Sequence, residues 1–225
     1  MESTIFTPRL KLTLVTKAGR GSQELEWLHE LRSDEKATFW SIIPRSKTIE
    51  DTAKIMTSLL PNPNDIPKSY KVAYLIHRIL ESESNTKEPA NQPTELIGIV
   101  RIHSLDNNHL PLPENLTLPA SELPTTLPTE IAYMFLPKSW GKGYATEAVH
   151  AVLAECSTVK DFWAPYEKVY VRALVNDGNP ASQRVMKKAG MELRGIYEWT
   201  GKAIFIAGEW REKDTLWIFG KYLFK

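Results

Sequence analysis

The order of apolar and polar positions along the chain predicts alternating strands and helices. Residues 9–15 alternate polar and apolar side chains, which is typical of a half-buried strand. Similar runs predict further strands at residues 71–76, 95–102, 130–136, 168–175, 193–199 and 215–223. Helical spacing with capping residues, glycine or proline at the ends predicts helices at residues 23–32, 48–60, 144–156 and 180–189.

This order of elements predicts a mixed α/β fold. The strand, helix and strand between residues 130 and 175 require at least one parallel crossover, whereas the last two strands can pair as an antiparallel hairpin. The chain has 225 residues, 42% of them hydrophobic, which is enough for one substantial core. We therefore expect a single domain over residues 1–225.

Two segments interrupt the pattern. Residues 81–94 are polar and separate two predicted strands. Residues 106–129 are rich in proline, which blocks helices and central strands because it has no backbone N–H. We interpret this second segment as an insertion without regular structure. The rim of a functional site and a decorative loop are equally compatible with it.

Composition narrows the class of protein. The chain has 28 Lys and Arg against 27 Asp and Glu, a net charge of +1, so we expect neither a nucleic acid nor a membrane as partner. A signal-peptide pattern and a long apolar run are both missing, which favours the cytoplasm, with the nucleus as an alternative. The single Cys156 excludes an internal disulfide, and we expect no metal.

Two glycines mark the most informative segment of the chain. Residues 136–145 read LPKSWGKGYA, so a predicted strand runs into Gly141 and Gly143 and then into a helix. Glycine has no Cβ and lets the backbone turn tightly and approach a ligand closely. The first N–H groups of the following helix are unpaired, and the helix dipole is positive there. The segment therefore predicts a cradle for phosphate groups.

A second motif follows at residues 179–191, which read NPASQRVMKKAGM. Asn179 is a good N-cap, Pro180 suits the first helical position, and Gly190 suits the C-terminal cap. Together, WGKGYA, the Asn179-x-x-Ser182 spacing and the KAGM ending resemble the acetyl-CoA signature of the GNAT N-acetyltransferases. The branch is the one similar to ribosomal-protein N-alpha-acetyltransferases.

The resemblance implies a fold, an activity and a co-substrate. The fold would be a mixed, mostly antiparallel twisted sheet flanked by helices, with a parallel strand pair splayed around the acetyl-CoA site. The activity would be acetyl-CoA-dependent transfer of an acetyl group to a primary amine by direct attack. The residues implied in acetyl-CoA binding are Met134, Phe135, Leu136, Trp140, Gly141, Lys142, Gly143, Tyr144, Ala145, Asn179 and Ser182.

Catalytic roles are implied for two side chains. Glu130 begins the strand that carries the acetyl group in this family, which makes it our candidate base, directly or through a water; His103 is a weaker alternative. The family often has a tyrosine seven positions after the asparagine, where this chain has Met186. Ser182 is therefore our candidate hydrogen-bond donor to the leaving sulfur. We expect Trp40, Tyr133 and Trp199 to line the acceptor cleft.

The acceptor stays open at this stage. An α-amino group has a reference pKa of about 7.7 to 8.0 and a lysine about 10.4, so a protein N-terminus is easier to acetylate than a lysine. A small amine is compatible as well, and polyamine or antibiotic acetylation is the alternative enzyme activity. A CoA-binding regulatory protein without catalysis is a third hypothesis. The resemblance is also compatible with a homodimer.

Overall fold

A computed structural model describes residues 1–17, 19–62, 64–66, 68–80, 92–106 and 109–224. Most of the polar segment predicted at 81–94 lies outside the described residues, as do residues 107–108 of the insertion. The strands are β1 (Thr4–Phe6), β2 (Leu10–Leu14), β3 (Lys71–Ile79), β4 (Thr94–Ser104), β5 (Thr126–Phe135), β6 (Lys168–Asn176), β7 (Glu192–Ile206) and β8 (Glu209–Phe224). The α-helices are α1 (Gln23–Ser33), α2 (Ile49–Leu59), α3 (Tyr144–Thr158) and α4 (Pro180–Lys188).

The strands form one eight-stranded sheet in the order β1-β2-β3-β4-β5-β6-β8-β7. β5 and β6 are parallel, joined through α3, and the remaining neighbours are antiparallel. This confirms the predicted mixed α/β fold with one parallel pair and a closing hairpin. The parallel pair lies near the middle of the sheet, next to the turn that carries Gly141 and Gly143.

Hydrophobic side chains of the sheet are buried on both faces. Along β5, Leu127, Ile131 and Phe135 belong to a core shared with α3 and α4. Met134 points to the opposite face and packs with the core under α1 and α2. This alternation follows from the period of two in a strand. Glu130 and Ala132 share the face of Met134.

β5 begins four positions earlier than the sequence pattern predicts, at Thr126. Pro128 lies inside the strand, opposite the residue that follows the end of β4 at Ser104. Its carbonyl accepts from the N–H of Leu105 (2.9 Å), so the pair at the end of the β4–β5 ladder keeps this bond although proline has no N–H to donate. The expectation that prolines exclude a central strand throughout 106–129 is therefore wrong.

The rest of the insertion also contains regular structure. Two short 3-10 turns form at Glu114–Leu116 and Ala120–Glu122, each preceded by a proline with extended backbone. The hydroxyl of Tyr222 donates to the Glu122 carboxylate (2.9 Å), which ties the insertion to β8. The sequence also missed β1, because three residues are too few to show alternation.

Candidate functional site

β5 and β6 separate in the middle of the sheet and leave an opening. The two strands pair only from Thr126 to Glu130 on the β5 side. β5 continues to pair with β4 as far as Phe135, and β6 continues to pair with β8 as far as Asn176. Beyond Glu130, each strand therefore has an unpaired edge facing the other. Free N–H and C=O groups on such an edge can pair with an extended ligand.

The unpaired edge of β5 is formed by the backbone of Tyr133 and Phe135. The N–H of Leu136 donates to the carbonyl of Ile97 on β4 (2.8 Å). Since successive residues direct their backbone groups to opposite sides, Met134 and Leu136 face β4, and Tyr133 and Phe135 face the opening. Of the three residues expected to bind through their backbone, Phe135 is the one on this edge.

Gly141 and Gly143 form the turn between β5 and α3. Their φ angles are 73° and 81°, in the left-handed region that favours glycine. Gly143 is the N-cap of α3, which begins at Tyr144, and no side chain caps the helix. The N–H groups of its first turn are thus available to a ligand, in the geometry that binds anions.

Trp140 and Lys142 stabilise this turn. The indole Nε1 of Trp140 donates to the carbonyl of Phe135 (2.7 Å), at the end of the unpaired edge. The Nζ of Lys142 donates to the carbonyl of Lys138 (2.8 Å). Both side chains therefore have hydrogen-bond partners at or next to the turn, and the backbone N–H groups at the start of α3 are left without a side-chain cap.

Arg9 is a residue of this site that the sequence did not reveal. Its guanidinium lies 2.6 Å from the carboxylate of Glu147, in the first turn of α3. It also donates to the carbonyl of Lys142 (3.0 Å) and lies over the ring of Tyr144, 4.7 Å from the centroid. Arg9 therefore neutralises an acidic group beside the turn that carries Gly141 and Gly143. No local signal could have found it, because 138 positions separate Arg9 from Glu147.

Helix α4 begins beside the opening, as the second motif predicts. The side-chain oxygen of Asn179 accepts from the N–H of Ser182 (3.2 Å), which leaves the amide NH₂ of Asn179 as the group that can bind a ligand. The Tyr133 hydroxyl donates to the carbonyl of Ser182 (3.4 Å), and burial raises the pKa of Tyr133 to about 12. Met186 is fully buried in the core, so it leaves no side chain in the site.

A cavity of about 350 Å³ follows the opening. Its lining includes most of the predicted binding residues, namely Trp40, Tyr133, Met134, Phe135, Trp140, Gly141, Gly143, Tyr144, Ala145, Asn179 and Ser182. Leu136, Lys142, Glu130 and Trp199 are outside this lining. Lys36, Arg184 and Lys188 add cationic side chains that we did not assign to the site from the sequence.

Trp40 reaches the cavity from the segment between α1 and α2. A Cβ built on Gly178 would lie 3.0 Å from its ring, so Trp40 packs directly on the turn that precedes Asn179. This packing depends on a glycine, because any side chain at position 178 would push the ring away. The α1–α2 segment thereby forms one wall of the opening.

Glu130 lies where β5 and β6 separate, in an ion pair with Arg172 of β6. The Oε2 of Glu130 is 3.0 Å from the Nε of Arg172, and the two side chains are 22% and 4% exposed. Arg172 also donates through Nη1 to the carbonyl of Leu110 (2.9 Å), which links the insertion to this point. The candidate base is thus close to the opening and held by a buried guanidinium.

His103 of β4 lies directly across from Glu130 in the sheet. Burial, assisted by the positive charge of Arg101, lowers the pKa of His103 from 6.5 to about 3. Its Nε2 is 2.9 Å from the Nε2 of His109 in the insertion. The imidazole of His103 is therefore neutral at physiological pH.

Cys156 is fully buried in the core beneath α3. Burial raises the pKa of its thiol, so the group is neither charged nor accessible as a nucleophile. Across the part of the chain that the structure describes, no cluster of His, Cys, Asp and Glu is arranged to hold a metal ion. None of the described helices is both long enough and apolar enough to cross a membrane.

An unpaired strand edge that leads to an uncapped helix N-terminus is a geometry suited to a long ligand with an anionic end. The family profile for the acetyltransferase (GNAT) domain matches residues 14–192, and the chain belongs to this family. The mostly antiparallel sheet with one splayed parallel pair is the GNAT fold that the resemblance implied.

One curated protein is similar to part of this chain in sequence. An uncharacterized protein of Bacillus subtilis (strain 168), YkkB, is 39% identical over 71 residues, which are 31% of this chain and 38% of that protein. The match thus spans less than half the length of this curated relative.

Solved structures share the fold over nearly the whole chain. Spermidine N-acetyltransferase from Vibrio cholerae, in complex with CoA and spermine, has a TM-score of 0.57 at 16% identity, covering 94% of this chain and 95% of that one. Ribosomal-protein-S5-alanine acetyltransferase from Vibrio fischeri has a TM-score of 0.59 at 14% identity, covering 98% and 96%.

Proposed function

We propose that this chain is an acetyl-CoA-dependent N-acetyltransferase that transfers an acetyl group to a primary amine by direct attack. The observation that carries the proposal is the continuity of the open β5 edge with the uncapped N-terminus of α3. These two features bind the two parts of one ligand, since the edge suits an extended amide-containing arm and the helix end suits a diphosphate.

The chain offers a donor set that fits acetyl-CoA. The first N–H groups of α3, beginning at Tyr144, would hold the diphosphate, with Lys36, Arg184 and Lys188 around them. The backbone of Tyr133 and the N–H of Phe135 would pair with the pantetheine arm, since the Phe135 carbonyl already accepts from Trp140. The amide NH₂ of Asn179 would donate to the same arm near the thioester.

Acetyl-CoA, when bound, supplies an acetyl group activated as a thioester. Transfer forms a bond from the acceptor nitrogen to the carbonyl carbon and breaks the bond from that carbon to sulfur. We assign oxyanion stabilisation to a backbone N–H on the open edge of β5, because such a donor is aimed in advance and does not need to reorganise. Glu130 would take the proton of the amine, directly or through a water, and the Ser182 hydroxyl would donate to the leaving sulfur.

The acceptor in this proposal is a protein N-terminus or a small amine. An α-amino group with a reference pKa of about 7.7 to 8.0 is partly neutral at physiological pH, so a modest base is sufficient. The same chemistry on a lysine side chain, at about 10.4, would require a stronger one. The buried ion pair with Arg172 fits Glu130 as an orienting group and modest base.

Thiol release from acetyl-CoA, measured with a panel of amines, tests the proposal. We expect turnover with at least one amine class, and we expect both Glu130→Gln and Ser182→Ala to reduce kcat. Glu130→Gln should retain the CoA affinity measured by calorimetry, because Glu130 is outside the cavity lining. Glu198→Gln and Ser157→Ala are matched controls outside the cavity lining. Tight CoA binding without turnover would favour the regulatory hypothesis, and absence of CoA binding would refute the proposal.

A further inference from the structure

Arg172 has a hydrogen-bonding group that the protein does not use. The residue is 3% exposed, and its Nε and Nη1 are occupied by Glu130 and the carbonyl of Leu110. Its Nη2 is buried and has no hydrogen-bond partner among the described residues. A buried N–H group of a guanidinium that has no hydrogen-bond partner is costly, because its lost hydration is not replaced.

Arg101 lies one row further along the same face of the sheet. On β4 it pairs with Ala132, two positions beyond Glu130 toward the open edge of β5. No carboxylate within the described ranges forms an ion pair with it. Burial lowers the pKa of Arg101, with only the charge of Glu130 acting in the opposite direction.

A third guanidinium, that of Arg32 near the C-terminus of α1, is close enough for the charge of Arg101 to act on it. Arg32 is 4% exposed and donates to the carbonyls of Ile43 and Pro44 (2.9 and 2.6 Å). Burial lowers its pKa, and the charge of Arg101 lowers it further. Positive charge therefore converges on this face from α1, β4 and β6.

The acidic groups nearby do not balance this charge. Glu130 is committed to Arg172, at 3.0 Å. Asp106 lies 2.8 Å from His109 and has a side chain that is 60% exposed, at the outer side of the cluster. Two of the three arginines are thus left without a carboxylate partner in the described chain, beside the point where β5 and β6 separate.

We infer that Arg101 and Arg172 bind an anionic group, a carboxylate or a phosphate, carried by the amine acceptor. This inference rests on the proposed function and specifies its substrate class. The cluster lies on the face of β5 opposite α3 and α4, next to Glu130, so an acceptor held there can present its amine at the separation point. The Nη2 of Arg172 and the fork of Arg101 are suited to oxygen anions, whereas a polycationic amine would be repelled.

Matched pairs of acceptors test this assignment through thiol release from acetyl-CoA. The pairs are a Ser-Asp peptide against a Ser-Asn peptide, β-alanine against β-alaninamide, and phosphoethanolamine against ethanolamine. Spermidine, a polycationic amine, is measured as the acceptor of opposite charge. We expect the anionic member of at least one pair to have a kcat/KM about tenfold higher or more, since a charge-assisted hydrogen bond contributes roughly that factor. The pair that responds distinguishes peptide, carboxylate and phosphate sources.

The Arg101→Met variant connects this preference to the cluster. We expect it to remove most of the discrimination within the responding pair, chiefly by raising KM for the anionic member. Arg20→Met is the matched control, because Arg20 is a surface cation with an 82% exposed side chain. Thermal unfolding monitors folding, and Arg101 is preferred to Arg172 because it leaves the ion pair with Glu130 in place.

The outcomes separate the inference from the function on which it rests. Preference for neutral amines or spermidine, or unchanged discrimination in Arg101→Met, would refute the anion site and leave N-acetyltransferase activity standing. Turnover with none of the amines would refute the proposed activity and this inference together. Anionic preference that Arg101→Met abolishes and Arg20→Met retains would support both.

Discussion

Gly143 allows a direct test of the anion-binding turn, because two nearly identical substitutions differ there only in charge. The residue has φ 81° and ψ 0° and is the N-cap of α3. A Cβ at this position would meet only the Nη2 of Arg9, at 3.4 Å, so a small side chain has room. Asn and Asp are the residues that best tolerate left-handed backbone, and Gly143→Asn and Gly143→Asp should therefore share the same conformational cost, about 1 kcal/mol.

The difference between the two variants isolates electrostatics. A carboxylate about 6 Å from one phosphate charge is repelled by about 3 kcal/mol at an effective dielectric constant of about 20. Arg9 is close enough to offset part of this repulsion. We therefore expect Gly143→Asp to bind CoA about ten- to a hundredfold more weakly than Gly143→Asn, which is about 1.4 to 2.8 kcal/mol.

Calorimetric titration of CoA into both variants measures this difference, and thermal unfolding checks that both variants are folded at the temperature of the titration. The difference in CoA affinity between the two variants should become smaller at high salt, because mobile ions screen the repulsion between the carboxylate and the phosphate. Equal CoA affinities for the two variants at low salt would show that no anion sits at the N-terminus of α3, and the cradle would lose its assigned role.

Three further predictions address the Arg9–Glu147 pair, the packing of the sheet at Gly98 and the acid sensitivity of the folded protein. Arg9→Met should weaken CoA binding a few-fold in calorimetry, because it leaves the Glu147 carboxylate uncompensated beside the turn that carries Gly141 and Gly143. Adding Glu147→Gln to this variant should restore much of the CoA affinity. If the two substitutions instead each weaken CoA binding and their effects add, this explanation is wrong. Gly98→Ala should lower the free energy of unfolding by about 1 to 3 kcal/mol in urea, because its Cβ would lie 2.5 Å from a ring carbon, whereas Gly19→Ala, with open space, should change little. Burial lowers the pKa of His77 from 6.5 to about 4. Between pH 6.5 and 4 the unfolded chain therefore binds more protons than the folded protein, and the free energy of unfolding should fall as the pH drops through this range. The His77→Leu variant should lose less stability than the wild-type protein over that pH range. Equal losses in the two proteins would show that His77 is not the source of the acid sensitivity.

Local signals determined the parts of the site that lie close together in the chain. Gly141 and Gly143 adopt the left-handed angles that the motif suggested, and α3 begins directly after them. Asn179 caps α4 through a bond to a residue three positions away. Such features depend on φ, ψ and hydrogen bonds within one turn, so a short stretch of sequence contains the information needed to predict them.

Tertiary structure alone decided which distant side chains meet. The Glu130–Arg172 pair spans 42 positions and exists because β5 and β6 pair in one register. The register of β5 on β4 directs the backbone of Tyr133 and Phe135 into the opening, and a shift by one residue would present Met134 instead. Alternation within a strand is readable from the sequence, but the neighbour against which it is aligned is not. The sequence therefore predicted the fold class and the conformation of the glycine turn before α3, while the Arg9–Glu147 pair and the arginine cluster emerged only when the sheet was assembled.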